Sequence, residues 1–169
     1  MLSRLPVLYP KCEQPLTSMW KVCYLKLKGK LSFVKYKRFA LVTGSSRGIG
    51  RQIAIDLAKD GYFIFIHCQK NLAEATKVAD EIRSLGSDSL VILADLIASA
   101  GIDIIVDTIS NKTAILDVLV NNAGVNRVRD LAETSEEDWD AIMAVNLKSV
   151  FLLTQRLFPF LKMSDQPRV

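Results

Sequence analysis

Histidine is almost absent from this chain: His67 is the single one in 169 residues. That scarcity removes the histidine-rich ligand sets of catalytic zinc sites, and no metal is expected. Cysteine is also sparse. Cys12, Cys23 and Cys68 are odd in number and form no Cys-x-x-Cys pair, which fits a reducing compartment better than a disulfide framework. No apolar stretch approaches the roughly 20 residues that cross a bilayer, so no membrane span is expected. Nothing resembles a cleavable secretory signal, and the sequon Asn111-Lys112-Thr113 therefore carries no expectation of glycosylation. The expected place is the cytoplasm, or an organelle stroma or matrix if the first residues act as a transit peptide.

Acids are nearly missing from one region. Residues 1 to 38 hold nine Lys and Arg against Glu13 alone, a net +8, so the other 131 residues carry −4 of the total +4. The basic excess is thus local, and its lysines interrupt apolar residues without forming a recognisable nucleic-acid module. No nucleic-acid partner is expected. Residues 1–34 are read as a basic extension, with Pro6, Pro10 and Pro15 ahead of a loosely alternating stretch from Trp20 to Phe33. That stretch admits a strand pair around Lys28-Gly29-Lys30 or disorder, and the extension as a whole admits a transit-like segment or a mis-chosen translation start.

What is present from residue 35 onward is a globular pattern. The chain is 50% hydrophobic and 24% charged, enough for one domain with a core. Strand-like runs at Phe39 to Val42, Phe63 to Ile66, Leu90 to Leu93 and Leu116 to Val120 alternate with helix-period segments. The first helix starts at Ile49 and ends at Gly61. The second starts with a capping box at Asn71-Leu72-Ala73-Glu74 and closes at Gly86, and the third spans 102–110. The last begins with Ser135 as N-cap and carries Trp139, Ile142, Met143, Leu147, Val150, Phe151, Leu157 and Phe158 at helical spacing, with Pro159 marking its weakening. Such alternation predicts an α/β fold, a parallel sheet with helices on both faces.

Between the first strand and the first helix lies Thr43-Gly-Ser-Ser-Arg-Gly-Ile-Gly50. There the chain must turn sharply, and Gly44 reaches backbone angles closed to other residues. Gly48 and Gly50 leave room for a pyrophosphate and for close packing of helix on strand, and the helix N-terminus offers free N–H groups to an anion. Gly44, Ser45, Ser46, Arg47, Gly48, Ile49 and Gly50 are therefore candidate cofactor-binding residues. After the second strand, where an acid would bond the ribose 2′-OH of NAD, the residues are His67-Cys68-Gln69-Lys70-Asn71. Arg47 and Lys70 instead suit an added 2′-phosphate, which favours NADP(H) over NAD(H), with Gln69 beside them. Asp95, past the third strand, can accept from an exocyclic amine such as that of adenine.

Thr43-Gly-x-x-x-Gly-x-Gly50, Asp95-Leu96, Asn121-Asn-Ala-Gly124 and Asn146, in that order, resemble the short-chain dehydrogenase/reductases. Arg47 and the stretch from Asn121 to Phe151 are most similar to the 3-oxoacyl-(acyl-carrier-protein) reductases of that family. The resemblance covers residues 35–169 and implies the N-terminal half of a Rossmann-like doubly wound sheet, about four strands. It implies that Asp95 and Leu96 border adenine, that Asn122, Ala123 and Gly124 flank the cofactor, and that Asn146 positions a water in a proton relay. The implied substrate is a small-molecule ketone or 3-oxoacyl thioester.

The Ser, Tyr and Lys that do the family's carbonyl chemistry follow a later strand, and the 169 residues stop at Pro167-Arg168-Val169 where that strand begins. The pair Tyr24 and Lys28 has the right spacing but precedes the first strand. In extended chain their Cα atoms stand about 13 Å apart, too far for a relay. The expectations are a chain without normal turnover, with a non-catalytic dinucleotide-binding fragment or interaction protein as the second reading. A bare fourth-strand edge and unpartnered Phe151, Leu152, Leu157 and Phe158 further predict homo-oligomers or aggregation.

Overall fold

The computed structural model describes residues 24–27, 30–33 and 38–169. Cys12, Cys23 and Lys28 lie outside them. The chain divides into Met1–Tyr36 and Lys37–Val169. In the first unit, β1 (Tyr24–Leu27) and β2 (Lys30–Phe33) pair antiparallel, Tyr24 opposite Phe33, the strand pair that was one of the two alternatives for this stretch.

The second unit is built on four parallel strands: β3 (Arg38–Val42), β4 (Tyr62–Cys68), β5 (Ser89–Leu93) and β6 (Val118–Val120), in the order β5-β4-β3-β6. All seven residues of β4 are buried, as a strand covered on both faces requires. Alternate side chains feed two cores. Ala40, Val42, Ile64, Ile66 and Cys68 meet the apolar stripes of α1 (Gly48–Lys59) and α2 (Leu72–Ser84). Leu41, Phe63, Phe65 and Ile92 face the other way, onto Ile102, Ile105 and Ile109 of α3 (Ser99–Lys112) and Leu153 and Leu157 of α5 (Ser149–Leu161).

Helix ends follow their local chemistry with one exception. Gly61 (φ 83°) and Gly86 (φ 81°) close α1 and α2 in the left-handed region. Ser135 caps α4 (Glu136–Met143) by accepting the Asp138 N–H at 3.1 Å, and Glu136 and Glu137 lie in its first turn. The capping box at Asn71 does not form: Asn71 precedes α2, but its side chain makes no cap bond. Its main-chain carbonyl accepts Ala75 N–H at 3.1 Å instead.

The last helix departs further from expectation. From Glu136 to Leu161 it is continuous, joined through a π-helical turn at Ala144–Lys148, and Pro159 lies within it without ending it. By length and a mean hydropathy of 1.2 it would suffice to cross a bilayer. Here, however, its buried stripe is Val145, Ser149, Leu153, Leu157 and Leu161, laid on the sheet. Leu157 is therefore a core residue and Leu152 is half-buried, whereas Phe151 and Phe158 are exposed as expected. The outer edge of β6 is also not bare. Arg168 N–H donates to Asp117 C=O at 2.9 Å and Leu119 N–H to Arg168 C=O at 3.0 Å, a first parallel bridge beside β6.

Candidate cofactor site

Strand order reverses beside β3: α1 and α2 lead outward through β4 to β5, and α3 returns the chain to β6 on the other side. In open α/β sheets a ligand crevice opens at such a reversal, beyond the carboxyl ends of the strands. Every candidate residue except Asn146 follows one of those ends. The glycine turn leaves β3, Gln69 and Lys70 follow β4, Asp95 and Leu96 follow β5, and Asn122 to Gly124 follow β6. Asn146 reaches the same rim from the π turn, with its Oδ1 3.5 Å from where a Cβ on Gly124 would stand.

The turn has a packed floor and an open mouth. A Cβ on Gly50 would stand 2.3 Å from Asn122 Nδ2 and 2.6 Å from the Gly44 carbonyl oxygen. Gly44 (φ 64°) would likewise bring a Cβ to 2.9 Å from Ala123 Cα. Gly48, also left-handed at 57°, faces open space within 4 Å. No side chain caps α1, and its ladder starts only with Arg51 N–H on Arg47 C=O at 3.2 Å. The amides at 48–50 therefore lack the intrahelical acceptors that later turns have, and they sit at the positive end of the helix dipole. A pyrophosphate fits this cradle, because it supplies acceptors where the backbone offers only donors.

Side chains hold the cradle from below. Thr43 Oγ1 donates to Val120 C=O at 3.2 Å and accepts the N–H of Asn122 and of Ala123, each at 2.9 Å. Asn122 Nδ2 donates to Thr43 C=O at 2.7 Å and Gly44 C=O at 3.2 Å. Thus Asn122 and Ala123 brace β3 against β6. Ser45 is turned inward: its hydroxyl donates to Val42 C=O at 2.7 Å and accepts His67 N–H at 3.1 Å. Its side chain serves the turn and not a ligand. Leu96 is likewise packed in the core, so only its main chain can border a ligand. Arg47, Ile49, Gln69 and Lys70 are exposed on the rim, whereas Ser46 is buried in the turn.

Asp95 is prepared as an acceptor. Its Oδ1 takes Ile97 N–H at 3.0 Å and its Oδ2 takes Gln69 Nε2 at 2.9 Å. The Ile97 amide, chiefly, holds its carboxyl below the ordinary carboxylate range, ahead of the Gln69 bond and the charge of Lys70. Asn146 clamps the loop beyond β6: Oδ1 accepts Val125 N–H and Nδ2 donates to Val125 C=O, both at 2.9 Å. π turns inside helices recur at functional positions, and this one aims Asn146 at that loop.

Three contributors escape motif reading. Thr43 opens the glycine motif, but only the structure shows it joining three segments. Asp138 is buried between Arg127 and Arg129, eleven and nine residues away across the loop, and no motif marks it. His67, buried beneath the turn, is the third.

The short chain dehydrogenase family profile matches residues 38–169. The chain belongs to the short-chain dehydrogenase family. Over 126 residues it is 38% identical to the 3-oxoacyl-[acyl-carrier-protein] reductase FabG of Staphylococcus aureus, covering 75% of this chain and 51% of the relative. A short-chain dehydrogenase of Burkholderia cenocepacia in complex with NADP superposes with a TM-score of 0.70 at 38% identity, covering 73% of this chain and 50% of the other. The angucycline C-6 ketoreductase LanV with bound NADP gives 0.69 at 35%, again over 73% and 50%. The chain thus spans about half the length of the short-chain dehydrogenases it matches.

Proposed function

We propose that this chain holds NADP(H) for an oxidoreductase that reduces a ketone of the 3-oxoacyl thioester class. The carrying observation is the cradle of 43–50, closed below by Asn122 and open at Gly48, with Arg47 on its rim. The relatives' bound NADP and the reductase activity in their names support the same reading. The dinucleotide, when bound, supplies the hydride. Gly48, Ile49 and Gly50 would hold its pyrophosphate by backbone N–H groups, and Arg47 and Lys70 its 2′-phosphate. Asp95, kept ionised, would accept from adenine, with Gln69 orienting the carboxylate. Asn146 would position a relay water while its side chain anchors Val125.

No tyrosine, and therefore no Tyr-x-x-x-Lys, follows β6 within these 169 residues. Cofactor binding without turnover is accordingly proposed for this stretch of chain alone. Exposed Leu147 and Phe151, which with half-buried Met143 line an open groove of about 700 Å³, favour self-association as well.

Calorimetric titration with NADPH and NADH tests the proposal. A charge-assisted bond to phosphate is worth about 1.5–3 kcal/mol, so Arg47→Ala weakens NADPH binding roughly tenfold to a hundredfold and leaves NADH binding nearly unchanged. Equal weakening for both dinucleotides would remove Arg47 from the 2′-phosphate. NADPH oxidation with acetoacetyl thioester by the 169-residue chain at a rate normal for reductases would contradict the proposed lack of turnover.

A further inference from the structure

His67 is the penultimate residue of β4 and is 2% exposed. Both ring nitrogens are engaged. Gly44 N–H points at Nδ1 at 3.0 Å, and Nε2 lies 3.1 Å from the Ala94 carbonyl oxygen. An amide can only donate and a carbonyl can only accept, so the ring must be neutral, with its proton on Nε2. Two more bonds strap the same residues: Ser45 N–H to His67 C=O at 2.9 Å, and His67 N–H to Ser45 Oγ at 3.1 Å. The imidazole thereby ties the first glycine of the turn, through β4, to the segment that presents Asp95.

We propose that His67 is a positioning residue of the dinucleotide turn, an acid-sensitive latch that sets the Gly44 amide while neutral and releases it on protonation. The proposal rests on the reading of this turn as a dinucleotide site. Protonation from solvent would put an N–H on Nδ1 facing the Gly44 N–H, donor against donor, and the bond breaks. Gly44 is the sensitive place for such a change, because its left-handed backbone (φ 64°) and its carbonyl bond to Asn122 define the start of the cradle.

The surroundings resist the cation. Burial pushes the imidazole below its ordinary value of 6.5, and this outweighs the opposing pull of the Ala94 carbonyl and the Asp95 carboxylate. Asp95 is the acid that faces it from beyond β5; Arg47 on the turn and Lys70 after β4 are the cations of the neighbouring segments, and the adjacent Cys68 thiol is kept protonated by burial. With the folded value depressed, the latch is intact above pH 6.5 and is lost as pH falls through that lower value.

The test compares the native chain with His67→Asn, whose Oδ1 can still accept from Gly44 but does not titrate. NADPH affinity is measured by fluorescence at pH 7.5 and 5.0, with far-UV circular dichroism at each pH, and the Gly44 amide resonance is followed without ligand. Native affinity falls further between the two pH values than that of His67→Asn, because only the native ring takes up a proton as pH falls. Titration of the ligand's own phosphate and of Asp95 is common to both proteins and cancels in the ratio. The Gly44 resonance shifts with acid in the native chain and stays put in the variant. An equal fall in both proteins, or a Gly44 resonance indifferent to pH in the native chain, would overturn the latch alone. Absence of NADPH binding at pH 7.5 in the native chain would overturn the dinucleotide reading and this proposal with it.

Discussion

Asp138 shows how one side chain organises the lip of the site. It is 4% exposed, yet it accepts from Arg127 and lies 2.8 Å from Arg129, which ties the loop after Gly124 to the start of α4. The Arg127 bond, above all, holds its carboxyl below the ordinary range, so the contribution is present above the unfolded value near 3.8 and fades as pH falls through the lower folded one. Asp138→Asn removes the charge and leaves two arginines without their partner. We expect faster hydrogen exchange and proteolysis confined to residues 125–134, with exchange in β3 and β4 unchanged; uniform acceleration across the sheet would show that the pair holds up the whole fold. None of this was legible from spacing, because charge pairs across a loop obey no period. The glycines were legible for the opposite reason: Gly44 is required by backbone angle and close contact and Gly50 by close contact, demands that only glycine meets.

At the level of elements, the helix from Glu136 to Leu161 is legible in its apolar periodicity, but its buried face is not. Apolar residues recur on more than one side of it, so the pattern shows a helix but does not tell which stripe is buried. Leu157 and Phe158, neighbours in sequence, part company at 0% and 56% exposure. The choice comes from the sheet: Leu153 and Leu157 meet the Phe63 and Phe65 side of the strands, and the π turn shifts the stripe upstream of them. Leu157→Ala is expected to cost about 2–5 kcal/mol in chemical denaturation. Phe151→Ser, on the 63% exposed face, is expected to change stability by about 0.5 kcal/mol or less and to reduce self-association in light scattering. A stability loss at Phe151 like that at Leu157 would refute the assignment of faces. Pro159 does not end the helix, because a proline interrupts only its own ladder bond, and Leu116 N–H donates to the Phe160 carbonyl at 3.1 Å, which docks the helix end just ahead of β6.

For the molecule as a whole, the parallel α/β class followed from the alternation of strand-like and helix-like segments. Strand order did not follow from alternation alone. It is the move from β5, across the sheet, to β6 that creates the crevice, and only the fold brings Thr43, Asp95, Asn122 and Asn146 to one rim from segments up to a hundred residues apart. Their ordered motifs resembled one family, and the match over residues 38–169 agrees. The central claim is that this half-length stretch carries a working dinucleotide cradle at residues 43–50. Its most direct test is a map of backbone amide shifts in the ¹⁵N-labelled chain as NADPH is added. The account predicts the largest, saturable shifts at Gly44 and Gly48 to Gly50, with further shifts near Lys70, Asp95 and Ala123. Saturable shifts centred elsewhere, with the amides of 44–50 unmoved, would contradict it.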